Sequence, residues 1–100
     1  MRLHDVDIPT ERLAEFCRRH GVKRLAVFGS ILRDDFGPGS DVDFLVEFLP
    51  GVRYSHFELG GMWMELREMV GREVDLKTPK ELSRFFRDDV VRESRTLYAA

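Results

Sequence analysis

The sequence lacks the features that mark secreted and membrane-spanning proteins. Its 100 residues include one cysteine, so no disulfide can form within the chain, which is typical of a reducing compartment. No apolar run approaches the roughly 20 residues that a membrane span needs. The first ten residues lack the apolar core of a signal peptide. We therefore expect a cytoplasmic protein that does not associate with membranes.

The sequence also lacks an excess of charge of either sign. Lysine and arginine total 16 and aspartate and glutamate total 18, a net charge of −2, so we expect no direct binding to nucleic acid. Apolar residues make up 43% and charged residues 34%, which is typical of a folded globular protein. The length suffices for one compact core, and we expect residues 1–100 to form a single domain.

Apolar periodicity predicts helices alternating with strands. The predicted helices are Pro9–His20, Ile31–Phe36, Phe57–Val70 and a last helix with Thr78 as its N-cap. The predicted strands are Arg24–Phe28, Asp41–Phe48 and Glu73–Leu76. The last helix would have a capping box from Thr78 to Glu81 and an apolar face formed by Leu82, Phe85, Phe86 and Val90. This order predicts the α/β class, with a small mixed sheet flanked by helices.

The first predicted strand leads directly into Gly29-Ser30, and a short helix is expected after it. Unpaired backbone N–H groups at a helix start, together with the helix dipole, favour a phosphate group there. Glycine has no side chain, so it lets a phosphate approach the backbone closely. Ser30 adds a hydroxyl donor. By itself the pair is weak evidence, because most Gly-Ser pairs are plain turns.

Two carboxylates follow after ten intervening residues. Asp41 and Asp43 are two apart in a predicted strand, so both side chains point to the same face of the sheet. Their mutual repulsion would be relieved by Mg²⁺, which prefers carboxylate and phosphate oxygens, whereas the alternative is a solvated strand edge. Asp75 lies in the next predicted strand. It could accept a proton or bind a metal near the other two, or it could be a solvated residue at a strand end.

The complete pattern is more specific than its parts. It consists of Gly-Ser, ten residues, Asp-x-Asp and a later strand aspartate, set in the segments Val27–Arg33 and Ser40–Val46. This pattern resembles the DNA polymerase β-like nucleotidyltransferase superfamily. The surrounding residues resemble its shortest members, the minimal nucleotidyltransferases that act as antitoxins paired with HEPN-domain toxins. The resemblance covers most of the chain and implies the polymerase β-like fold.

The resemblance also implies roles for individual residues. Gly29 and Ser30 would hold the phosphates of a nucleoside triphosphate. Asp41 and Asp43 would bind Mg²⁺, and Asp75 would be the third catalytic carboxylate and metal ligand, activating the acceptor hydroxyl. Arg33 matches a recurring family position and could reach phosphate. Its alternative is a surface ion pair with Asp34 or Glu47.

Three functions remain open on the sequence. The first is Mg²⁺-dependent transfer of AMP from ATP to a hydroxyl, by resemblance a tyrosine of a cognate HEPN toxin, which would make the chain an antitoxin. The second is neutralisation of the toxin by binding and occlusion without catalysis. The third is nucleotidyl transfer to RNA or a small molecule, which we rank last because such relatives usually carry further domains and because the chain is slightly acidic.

Several other residues have simpler interpretations. Cys17 is expected to be buried and structural. Trp63 and the methionines of the long helix are expected in the core. They cannot all face one way, so some of them are expected at a partner interface. His56 is interpreted as a surface residue that could touch substrate. The apolar end, Leu97–Ala100, is expected to dock on the core or on a partner.

Overall fold

The computed structural model describes all residues from 1 to 100 and contains six strands, three α-helices and two 3₁₀ turns. The strands and helices are β1 Arg2–Leu3, β2 Val6–Asp7, α1 Thr10–His20, β3 Val22–Phe28, β4 Val42–Phe48, α2 His56–Val70, β5 Val74–Lys77, α3 Arg87–Glu93 and β6 Arg95–Ala99. The 3₁₀ turns are Gly29–Leu32 and Pro79–Glu81.

Four strands form one mixed sheet in the order β5-β4-β3-β6. Strand β3 pairs antiparallel with both β4 and β6, whereas β4 and β5 are parallel. A parallel pair needs a crossover connection, and α2 supplies it. Strands β1 and β2 form a separate antiparallel hairpin. The predicted α/β class and mixed sheet are confirmed.

Alternation along β4 separates a core face from a polar face. Val42, Phe44 and Val46 are fully buried on the core face, whereas Asp43 and Glu47 are half-buried on the other face, where Leu45 is also buried. The core face packs against both long helices in one cluster of 17 buried residues. Each fully buried large apolar side chain of this cluster contributes roughly 1.5–3 kcal/mol of transfer free energy.

Helices α1 and α2 follow their predicted patterns closely. Leu13, Phe16 and Cys17 are the buried residues of α1, so the expected burial of Cys17 is confirmed. Helix α2 begins after Ser55, whose side-chain oxygen accepts a hydrogen bond from the Glu58 N–H at 3.2 Å. It continues through Gly60 and Gly61, and a buried stripe that begins directly after them anchors the helix on the core. That stripe is Met62, Leu66 and Val70.

The predicted last helix is wrong. The capping box between Thr78 and Glu81 is present, but it starts only the 3₁₀ turn Pro79–Glu81, and Leu82 is extended with ψ 144°. The carbonyl groups that a continuing helix would use are bonded elsewhere. The guanidinium of Arg87 donates to them, and the acceptors are Pro79 O at 2.7 Å, Lys80 O at 3.3 Å and Leu82 O at 3.1 Å.

The predicted apolar face of that helix is accordingly wrong as well. Phe85 and Phe86 are 76% and 64% exposed, ahead of the helix α3 that actually forms. Val90 is half-buried on α3. These phenylalanines therefore contribute surface, not core.

The apolar C-terminal end, expected on the core or on a partner, docks on the core. It forms the edge strand β6, which pairs with β3 through a β-bulge between Leu25 and Ala26. Leu97 and Tyr98 pack against the buried cluster. No helix in the chain is both long enough and apolar enough to cross a bilayer.

Candidate active site

Strand register brings the predicted site residues to one end of the sheet. Asp43 on β4 is the register partner of Asp75 on the parallel strand β5 and of Phe28 at the end of β3. Partners in register project their side chains to the same face, so both carboxylates share the polar face. Asp41 lies two residues before Asp43, just outside the strand, and is exposed. The two central carboxylate residues are half-buried.

Gly29 follows Phe28 and lies directly against the Asp43 carboxylate. Its φ is +74°, in the left-handed region that favours glycine. A Cβ atom built on Gly29 would be 3.3 Å from Asp43 Cγ and well inside van der Waals contact with Oδ2. A side chain at this position would thus displace the carboxylate. The structure joins the glycine-serine turn and the carboxylate group into one site.

The segment after Gly29 differs from the predicted short helix over Ile31–Phe36. Gly29–Leu32 forms a single 3₁₀ turn, after which Arg33 is extended and the chain runs through turns to Phe36. The dipole of so short a turn is small. Any phosphate binding here therefore depends on backbone N–H groups and on the half-buried Ser30, and less on a helix dipole than the sequence suggested.

Burial and the neighbouring carboxylates act on Asp43. The pKa of Asp43 is raised from 3.8 to about 6, first by burial and then by the charges of Asp75 and Asp41. Arg33 and Lys77 oppose this rise. Asp43 is thus the carboxylate at the electrostatic centre of the site, where an added cation would relieve the most repulsion.

Divalent cation binding fits this donor set. Asp43 and Asp75 would supply hard oxygen ligands from one face, and Asp41 lies near enough for its charge to act on Asp43. As the side chains stand, no three His, Cys, Asp or Glu groups lie close enough together to hold an ion by themselves. Magnesium commonly takes only one or two protein carboxylates and completes its shell with water and substrate phosphates, so the open arrangement suits it.

Arg33 and Lys77 are the two cationic side chains that act on Asp43. Arg33 is 60% exposed and its Nε donates to Asp35 Oδ1 at 3.1 Å. The predicted ion-pair alternatives, Asp34 and Glu47, are wrong, because Arg33 pairs with Asp35 while Glu47 pairs with Arg24 at 3.2 Å.

Lys77 is a site residue that the sequence pattern did not predict. Its Nζ lies 3.7 Å from Asp75 Oδ1, and its side chain is 38% exposed. The signal was available, because Lys77 is two residues after Asp75 and a strand places residues i and i+2 on one face. The site therefore holds a second partly exposed cationic side chain that could meet a substrate phosphate.

A cavity of about 420 Å³ adjoins Gly29 on the side away from Asp75. It is lined by Phe28, Gly29, Leu32, Arg33, Val90 and Glu93. A larger cavity of about 760 Å³ lies against α2 and includes no predicted site residue, neither the carboxylates nor Gly29, Ser30 or Arg33. The smaller cavity is the better candidate for a nucleoside, because it shares Gly29 and Arg33 with the site.

The remaining predicted residues lie elsewhere. His56 is exposed at the start of α2. Trp63 packs against the core, as expected, and its Nε1 donates to Val74 O at 2.6 Å. Met64 is 63% exposed, so one methionine of the long helix lies on the surface and not in the core.

Comparison with known proteins shows the family to which the chain belongs. The sequence profile of the nucleotidyltransferase domain family matches residues 10–98. A protein of Methanocaldococcus jannaschii, inferred to be a protein adenylyltransferase, is 38% identical over 76 residues, which are 76% of this chain and 80% of the relative. A solved structure of an inferred minimal nucleotidyltransferase is 32% identical, with a TM-score of 0.70 and coverage of 85% of both chains.

Two toxin–antitoxin structures share the fold at 17% identity. One is a toxin–antitoxin structure with AMP-PNP, with a TM-score of 0.73 and coverage of 93% of this chain and 75% of the other. The other contains the tri-AMPylated HEPN toxin of Shewanella oneidensis in complex with its MNT antitoxin, with a TM-score of 0.64 and coverage of 91% and 70%. At this identity the likeness shows the fold alone.

Proposed function

Because this chain belongs to the nucleotidyltransferase domain family and is a nucleotidyltransferase, we propose that it transfers AMP from ATP to a hydroxyl group of a HEPN-domain toxin, with Mg²⁺ as cofactor. The acceptor we propose is a tyrosine, and the result is an antitoxin. The observation that carries the proposal is the contact of the Gly29 turn with Asp43, which itself adjoins Asp75. The AMPylated HEPN toxin and the AMP-PNP of the related structures support the choice of partner and nucleotide.

In this proposal the glycine-serine turn binds the triphosphate. The backbone at Gly29 admits phosphate oxygens closely because no Cβ intervenes, and Ser30 donates its hydroxyl. Arg33, which is exposed and held only by a surface ion pair with Asp35, can turn toward a phosphate. The nucleoside would occupy the cavity beside Gly29.

The carboxylates divide the remaining work. Asp41, Asp43 and Asp75 would hold Mg²⁺, which when bound neutralises charge on the phosphates. Asp75 would accept the proton of the attacking hydroxyl. The hydroxyl oxygen then forms a bond to the α-phosphorus, the bond from that phosphorus to the bridging oxygen breaks, and pyrophosphate leaves. Lys77 would keep Asp75 oriented and offset negative charge beside it.

The test is AMP transfer from labelled ATP to a purified HEPN-domain protein from the same organism, with Mg²⁺ present. Asp41→Asn combined with Asp43→Asn should abolish labelling of the partner. The matched control is Glu11→Gln combined with Glu15→Gln, which removes the same charge from the exposed face of α1 and should leave labelling unchanged. Labelling that survives in the aspartate variant would overturn the assignment.

Occlusion without catalysis is the second candidate. Large apolar side chains are exposed, and these are Phe57 at 90%, Phe85 at 76%, Phe86 at 64% and Met64 at 63%. Such side chains favour a protein interface. If the doubly substituted aspartate variant still binds the toxin and still protects cells from it, occlusion is the function. Loss of protection with retained binding supports catalysis.

A further inference from the structure

Arg72, between α2 and β5, connects three segments that are distant in sequence. Its side chain is only 17% exposed. Nη2 donates to Gly37 O at 2.6 Å and to Ser40 O at 3.1 Å, and Nη1 donates to Asp5 Oδ1 at 3.1 Å. A mostly buried arginine with three oxygen partners holds those partners in place more firmly than a surface ion pair does.

Arg72 also reaches the phosphate-binding side of the site through two rings. Its guanidinium carbon lies 4.7 Å from the centre of the Phe36 ring, which stacks on His4 with centroids 4.9 Å apart. The Nε2 atom of His4 lies 2.9 Å from Ile31 O, within the turn that begins at Gly29. The hairpin β1–β2 thus joins the turn at Gly29 to the loop before Asp41.

That loop has little structure of its own. Ser40 N donates to Gly37 O and Gly37 N donates to Ser40 Oγ, both at 3.0 Å. The loop contains two glycines and leads directly into Asp41, which is exposed and lies outside β4. Regular strand pairing therefore fixes Asp43 and Asp75 but not Asp41. Arg72 restrains the loop at both of its ends.

We propose that Arg72 is a positioning residue for the carboxylate site, holding the Gly37–Ser40 loop so that Asp41 is placed to bind the cation. This inference rests on the proposed function of Asp41 as a metal ligand. Side chains that orient metal ligands typically contribute about 10- to 100-fold in metal affinity. A role limited to stability would change the unfolding midpoint and leave the metal affinity of the folded protein unaltered.

The test measures binding of Mn²⁺ alone to the purified chain, from the loss of the free-ion signal in electron paramagnetic resonance. Arg72→Met should weaken binding about tenfold. The matched control is Arg67→Met on α2, which removes an arginine that pairs with Glu73 at 2.6 Å and does not bond to the loop. Its Mn²⁺ affinity should stay within about twofold of the unsubstituted chain.

A second measurement separates positioning from stability. In AMP transfer, Arg72→Met should raise the Mg²⁺ concentration for half-maximal rate about tenfold, with most of the rate recovered at saturating Mg²⁺. Arg72→Lys, which keeps the charge and can reach one carbonyl, should lose about threefold in Mn²⁺ affinity. If Arg72→Met does not fold, the Mn²⁺ affinity of Arg72→Lys tests the positioning role instead.

The outcomes distinguish this inference from the proposed function. If the unsubstituted chain binds Mn²⁺ no better than Asp41→Asn with Asp43→Asn, the proposed metal site is wrong, and the inference is wrong with it. If the unsubstituted chain binds Mn²⁺ and a folded Arg72 variant binds it equally well, only the role of Arg72 is refuted.

Discussion

Substitution of Gly29 by alanine is expected to disable nucleotidyl transfer far more than it destabilises the fold. At φ +74°, alanine adopts the left-handed conformation at a cost of about 1 kcal/mol. The new methyl group would also lie 3.3 Å from Asp43 Cγ and closer still to Oδ2, so the carboxylate must move by about 1 Å. A displacement of that size can cost about 100-fold in rate.

We therefore expect the transfer rate of Gly29→Ala to fall about 100-fold, while the free energy of unfolding falls by about 1–2 kcal/mol. The control is Gly51→Ala, because Gly51 has φ +83° but no atom within 4 Å of its added Cβ. It carries the same backbone strain without the collision. Urea denaturation measures stability in both variants, and labelling of the HEPN partner measures transfer.

The pair of variants makes the reasoning refutable. Gly51→Ala should lose about 1 kcal/mol of stability and keep its transfer rate. If Gly29→Ala transfers AMP as fast as the unsubstituted chain, then contact between the turn and Asp43 does not matter for the chemistry. If both variants lose the same activity, the loss reflects backbone strain or stability, and the site argument fails.

Three further predictions concern charge and burial. The folded pKa of Asp43 is raised from 3.8 to about 6, so the stability contributed by its protonated form is lost as pH rises through about 6. In metal-free urea denaturation, the free energy of unfolding should be about 1 kcal/mol lower at pH 7 than at pH 4.5, after allowance for solvent screening. An equal fall in Asp43→Asn would contradict this. Lys77→Met should raise the KM for ATP severalfold because a cation 3.7 Å from Asp75 is lost, whereas the exposed Lys80→Met should not. Burial raises the pKa of the Cys17 thiol to about 12, so a thiol reagent at pH 8 should label it only after unfolding, and fast labelling of folded protein would show that it is accessible.

The local sequence pattern predicted α1, α2 and the three strands that carry the site, because the apolar periodicity of each is visible within its own residues. It failed where a distant partner decides the structure. Strand β6 forms by pairing with β3, about 70 residues earlier in the chain. The hairpin β1–β2 has strands of two residues, too short to show any periodicity.

The last helix failed for a different physical reason. Thr78 and Glu81 form the predicted capping box, so the local signal was correct. The chain beyond it does not continue as a helix, because the Arg87 guanidinium takes three of the carbonyl groups there. Hydrogen bonds from a side chain several residues later in the chain cannot be predicted from the apolar spacing alone.

The site itself depends on register, which the spacing of the aspartates only partly determines. Val42 pairs with Val74, and Asp43 with Asp75. A slip of one residue would turn Asp75 toward the core and expose Val74, so the apolar alternation forbids it. A slip of two residues would keep Asp75 on the correct face but move it by about 6.6 Å along the strand.

Alternation alone does not oppose the two-residue slip, so another contact must do so. The Trp63 Nε1 donates to Val74 O at 2.6 Å, and Trp63 lies on α2, whose buried stripe fixes it against the core. That hydrogen bond connects the crossover helix to the residue before Asp75. The sequence indicated Trp63 only as a core residue. In the fold it also donates a contact that helps keep Asp75 level with Asp43.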